Sequence, residues 1–115
     1  MTEPSTVMAF AQDLFAGMGR VVARRIFGAA GLFVDGVMFG LIDDGAIYLK
    51  TDASLTLELA QFGSRPLIFI AGKGATAGVE QKMSYWSLPE AARDDPDEAC
   101  DWGRQAQVVA KRAKR

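Results

Sequence analysis

Arg24 and Arg25 stand side by side in the stretch ARRIFGAAGLFVDG, and their side chains are the first in the chain that could grip an anion. A guanidinium offers a rigid fork of donors that holds a carboxylate or phosphate through two bonds. Lys50 closes the run IYLK, and Lys82 opens KMSYWSL, so two further cations adjoin apolar and aromatic stretches. Arg24, Arg25, Lys50 and Lys82 are therefore the candidate anion or partner contacts. Neighbouring strand residues point to opposite faces, so Arg24 and Arg25 serve one surface only where a bulge re-aims one of them. The alternative is an edge-strand charge paired with an acid. The terminal KRAKR, with Lys111, Arg112, Lys114 and Arg115, could also meet phosphates, or form the solvated end of a helix.

Other chemistries fall away quickly. There is no histidine, which removes histidine triads and histidine metal clusters, and the lone Cys100 allows neither a disulfide within the chain nor a CxxC site. GKG at 72–74 lacks the hydroxyl residue a phosphate loop needs after its lysine, and GAAGLFVDG does not match GxGxxG. The glycines read instead as turn and bulge residues. Asp43-Asp44 falls in a turn, and the acids of 94–101 open a helix, so neither group reads as a catalytic carboxylate pair. The expectation is no enzyme, no catalytic residues, no cofactor and no metal.

A chain of 115 residues, half hydrophobic and 23% charged, suits one globular domain. Its formal net charge of −1 gives no strong general attraction to nucleic acid. The first twenty residues lack the basic start and unbroken apolar centre of a secretory signal, and no run suits a membrane span. A soluble, cytoplasmic protein is expected.

The elements that must position the cations follow from periodicity. Val7, Phe10, Ala11, Leu14, Phe15 and Met18 recur at helical steps, which predicts a helix over 4–18. From Val21 the period becomes two. Val21, Ala23, Arg25 and Phe27 share one face of a strand, Val22, Arg24 and Ile26 the other; Gly28–Gly31 bulges it, and Leu32–Val34 completes it. Strands over 37–42 and 46–50 follow Asp-Gly hairpin turns, and in the first of these Val37, Phe39 and Leu41 should face one way and Met38, Gly40 and Ile42 the other. Thr51–Ser54 caps a short helix with Leu55, Leu59 and Phe62, stopped by Gly63. Strands over 67–71 and 82–88 flank a glycine-rich loop at 72–78. The later strand places Met83, Tyr85 and Ser87 on one face and Ser84, Trp86 and Leu88 on the other. Asp95-Pro96-Asp97-Glu98 is a helix start, with Asp95 as N-cap, and the helix carries Ala99, Trp102, Ala106, Val109, Ala110 and Ala113 on one face. The expected fold is α+β: a two-layer domain with a five-stranded antiparallel sheet, in the order α-β-β-β-α-β-β-α.

The sequence resembles the N-terminal domain of the TfoX/Sxy family of competence regulators over nearly its whole length. Arg24, Arg25, Phe27 and Gly28 match the family's RRMFGG-like start, and Gly31 and Phe33 its glycine before an aromatic strand. Asp35-Gly36 matches a turn before Phe39, Tyr48 and Lys50 match a strand end, and Met83, Ser84, Tyr85, Trp86 and Pro89 match the late strand. The chain departs at Ala29, where a second glycine is usual, and in a longer GKGATAGVEQ loop. The resemblance implies a fold similar to secretion chaperones and a role in co-activating transcription. It brings no catalytic residues.

The expected function is that of a stand-alone regulatory module acting by protein–protein contact, with a homodimer as one form of that contact. Its expected docking surfaces are the sheet face and a strand edge, with Tyr85 and Trp86 as the candidate contacts. The alternative is direct nucleic-acid binding, with Arg24, Arg25, Lys50, Lys82 and the terminal cations on one face and the aromatics stacking bases. A ligand-binding or enzymatic role would need a deep pocket lined by perturbed titratable groups.

Overall fold

The computed structural model describes residues 4–26, 29–70 and 80–113. Helix α1 (Pro4–Leu14) and a 3₁₀ turn (Ala16–Met18) lead into strands β1 (Val22–Ile26), β2 (Ala29–Val34), β3 (Val37–Asp43) and β4 (Ala46–Lys50). Helix α2 (Ala53–Ala60), strands β5 (Pro66–Ile70) and β6 (Glu80–Ser87), a second 3₁₀ turn (Glu90–Asp94) and helix α3 (Pro96–Ala113) complete the domain. The strands form one open antiparallel sheet in the order β1-β2-β3-β4-β6-β5, with β6 inserted between β4 and β5. Among the described residues no helix is long and apolar enough to cross a membrane.

The sheet has six strands where five were expected, and the difference lies at residues 22–34. Ile26 pairs with Ala29 and Val22 with Phe33, so what reads as one bulged strand is a hairpin. The chain therefore reverses between Ile26 and Ala29, and a GAAG run is compatible with either a reversal or a bulge. Phe27 and Gly28 themselves lie outside the described residues, as do the 72–78 loop and Lys114 and Arg115.

Both Asp-Gly turns form as expected. Asp35 and Gly36 have φ of 53° and 76°, Asp44 and Gly45 51° and 79°, so both central residues of each turn are left-handed. That is the mirror-image turn whose twist matches the flanking strands. Asp52 caps α2 by accepting from Leu55 N at 2.8 Å. Its far end closes with Ser64 N donating to Leu59 O and Gly63 N to Ala60 O, both at 3.2 Å, the paired bonds of a Schellman ending. Asp95 Oδ1 accepts from Asp97 N at 3.1 Å and Glu98 N at 3.2 Å, which starts α3 where the sequence places it.

The helices and the 3₁₀ turns share one side of the sheet and enclose a single core. Leu32, Phe39, Ile42, Ile47 and Leu49 rise from the strands to meet Phe15, Leu55, Leu59, Ala99, Trp102 and Ala106. Phe15 meets Phe39 edge to face at 5.3 Å, and Phe62 meets Trp102 likewise at 5.4 Å. Cys100 is buried, its thiol directed at Leu14 O, and behaves as a small packing residue.

One strand departs from strict alternation. Leu32 pairs with Gly40 but Phe33 with Met38, so Phe39 is an extra residue on β3. Beyond it the faces exchange: Val37, Phe39 and Ile42 enter the core, while Leu41 joins Met38 on the opposite side. The expected grouping of Leu41 with Phe39, and of Ile42 with Met38, is thereby corrected.

Candidate functional site

With the helices on one side, the other face of the sheet has no layer over it among the described residues. Its composition follows from register. Val22 pairs with Phe33, and Phe33 with Met38; Arg24 pairs with Gly31, Gly31 with Leu41, Leu41 with Tyr48, and Tyr48 with Ser87. Lys50 pairs with Tyr85 in the adjoining row. Val22 is 40% exposed, Phe33, Met38, Leu41 and Tyr48 are half-buried, and Tyr85 is buried. This is a broad apolar and aromatic surface carrying few charges.

Gly31 shapes it. A Cβ there would lie 2.8 Å from Met38 Sδ, 2.8 Å from Phe33 Cε1 and 3.0 Å from Ile26 Cδ1. Three side chains from three strands converge over the bare backbone, which a methyl group would push apart. Gly31 also faces Arg24 across the ladder and leaves that cation no side chain to oppose it. The guanidinium leans diagonally over the Phe33 ring, 5.3 Å from its centre. On the next rungs the Lys50 ammonium lies 5.2 Å over the Tyr85 ring and donates to Ser84 Oγ at 2.6 Å.

Two phenols on this face hold their protons more firmly than usual. Burial, and then the charges of Asp43 and Asp44, push the Tyr48 phenol above its ordinary 10.0. Burial alone raises that of Tyr85.

The expected site residues divide between the two faces. Arg24, Lys50 and Tyr85 share the open face. Arg25 points the other way from β1, opposite Ala30, and is exposed at the sheet edge. Trp86 packs partly buried against the core, opposite Leu49, so Tyr85 and Trp86 belong to different surfaces. Lys82 lies on β6 opposite Ile68, but the side chains of Lys82 and Met83 are outside the described set. Lys111 and Arg112 occupy the last turn of α3, on the helical side. The described cations thus do not gather on one surface.

Phe33, Met38, Leu41 and Tyr48 were not singled out as site residues by sequence reasoning. Alternation along each strand separates them from the core positions, with the bulge at Phe39 accounting for Leu41. A separate depression of about 270 Å³ lies between α1 and the start of α3, lined by Phe10, Asp13, Leu14, Arg93, Asp94 and Pro96. There Arg93 sits 5.9 Å over the Phe10 ring. It is shallow and open.

The motif residues of the sequence converge on the sheet: Gly31 and Phe33 build the open face, the Asp-Gly pairs turn its hairpins, and Tyr48 and Lys50 close its fourth strand. No curated protein matches the chain. The TfoX N-terminal domain matches residues 13–110. That match takes in every strand of the sheet, α2 and nearly all of α3, and on it the chain belongs to the TfoX N-terminal domain family.

Proposed function

We propose that this chain is a small regulatory domain, of the competence-related kind its family suggests, that works by protein contact rather than by catalysis. The observation that supports this is the open sheet face of Val22, Phe33, Met38, Leu41 and Tyr48. Apolar side chains massed on one unlayered face suit burial against a partner, whereas isolated surface apolars need no such account. Nucleic-acid binding has less in its favour. Base stacking needs free ring faces, but Tyr85 is buried and both Tyr85 and Phe33 already carry a cation.

The test compares cells producing the wild-type chain with cells producing Val22→Asp/Met38→Asp or, as a control on the exposed side of α3, Gln105→Asp. Transcript profiles should change with the wild type and the control and not with the open-face variant, each variant first shown to be folded by circular dichroism. Equal loss in both variants, or no transcript change at all, would overturn the reading. Salt-dependent anisotropy with a mixed-sequence DNA duplex separates the rival: a steep linear fall in log–log form would mark phosphate contacts.

A further inference from the structure

We infer that the open face selects a protein segment carrying carboxylates beside apolar side chains, an acidic amphipathic segment, with Arg24 and Lys50 as the selecting residues. This rests on the reading of that face as a docking surface and goes further by fixing the partner's chemistry.

Both cations lie on rings, Arg24 on Phe33 and Lys50 on Tyr85. A ring face shields one side of a cation from water yet supplies no counter-charge, and the Ser84 hydroxyl that Lys50 also meets is neutral, so these contacts leave both cations able to take an anion. Among the described residues no carboxylate lies within ion-pair distance of either; the ion pair they do form, Arg104 with Asp101 at 3.2 Å, is on α3. The apolar rungs of Val22, Phe33 and Met38 lie beside them. The pattern is a strip of apolar side chains bordered by two cations, and its complement is an apolar strip bordered by carboxylates.

The same geometry disfavours a second copy of this chain in face-to-face contact. Such a copy would bring its own Arg24 and Lys50 to the patch, while Asp43 stands two residues beyond Leu41, opposite Ala46. Like charges brought together across an interface oppose its formation.

The experiment uses the purified chain and three labelled synthetic peptides, followed by fluorescence anisotropy. One is an amphipathic leucine/glutamate peptide, one its lysine-for-glutamate counterpart, and one its serine-for-leucine counterpart. The leucine/glutamate peptide should bind at least roughly tenfold more tightly than either counterpart. Arg24→Glu/Lys50→Glu should reverse the preference between the glutamate and lysine peptides. Arg24→Gln/Lys50→Gln, a milder change should the reversal fail to fold, should abolish it. Equal binding of the glutamate and lysine peptides, lost in Val22→Asp/Met38→Asp, would overturn this inference and leave the docking face standing. Preferred glutamate binding that survives Val22→Asp/Met38→Asp would overturn both. Binding of none of the peptides overturns the inference, while the transcript comparison judges the docking face independently.

Discussion

Arg24 and Phe33 are not opposite one another in the ladder, yet the guanidinium reaches diagonally to within 5.3 Å of the ring centre because its true partner is Gly31. The glycine makes room for three converging side chains and removes the one that would otherwise meet the arginine. Replacing it tests that arrangement. In Gly31→Ala the methyl group must displace Phe33, Met38 or Ile26, at a cost of about 1–3 kcal/mol for overpacking. Urea unfolding should show the loss. Heteronuclear NMR spectra should place the largest shifts on β1, β2 and β3, and the leucine/glutamate peptide should bind more weakly. An unchanged spectrum would contradict the crowded geometry.

Gly40 presents a harder obstacle. An added Cβ would meet the Tyr48 backbone oxygen at 2.7 Å, and that atom belongs to the adjoining strand rather than to a flexible tip. Gly40→Ala should destabilise by more than about 3 kcal/mol, because β3 and β4 must separate to accept it. At Gly45, with φ of 79° and nothing within 4 Å, the same change meets only backbone strain. Its cost should be about 1–2 kcal/mol, the penalty of a left-handed residue with a side chain. Denaturation midpoints should rank the two in that order.

The N-cap of α3 can be read by one substitution. Asp95→Ala removes the acceptor for Asp97 N and Glu98 N, and should cost about 1 kcal/mol. Asp95→Asn keeps an acceptor oxygen and should recover most of it. Thermal melts of the pair separate the cap from a general effect of charge.

Tyr48 gives the fold a dependence on alkaline pH. Its folded-state phenol titrates above 10.0, so between that pH and the folded value the folded chain keeps a proton that the unfolded chain has released. Stability should therefore be level with respect to this group below 10.0 and fall as pH rises past it. The decisive quantity is a difference between variants. Tyr48→Phe should lose less stability than the wild type over that interval, as measured by urea midpoints. Identical slopes would mean that Tyr48 is not held protonated by its surroundings.

What could be read in advance was mostly local. An Asp-Gly pair needs only its own backbone preferences to turn a hairpin, and Asp95-Pro96 starts a helix within one turn, so both appear where the residues put them. The hairpin joining Ile26 to Ala29 and the extra residue at Phe39 depend on what the partner strand offers, which no window of one strand contains. The site was half legible for a related reason. Arg24, Lys50 and Tyr85 were recognised as candidates by residue type. Phe33, Met38 and Leu41 were not, because β2 and β3 are apolar on both faces and periodicity alone does not say which face a helix will cover. Trp86 shows the same limit, since its alternation with Tyr85 was visible and its direction was not.

The insertion of β6 between β4 and β5 divides the sheet into a four-strand meander, made of sequence neighbours, and a later hairpin. Their junction runs only from Tyr48–Ser87 to Lys50–Tyr85, extended by the bonds of Thr51 N to Ser84 O and Leu88 N to Ile47 O. As the chain leaves the ribosome, β4 has a bare edge until Ser84–Leu88 has emerged. Until then Tyr85 is missing from beside Lys50 and the patch is unfinished. The part of the face around Lys50 is thus completed only after the four-strand meander has been synthesised.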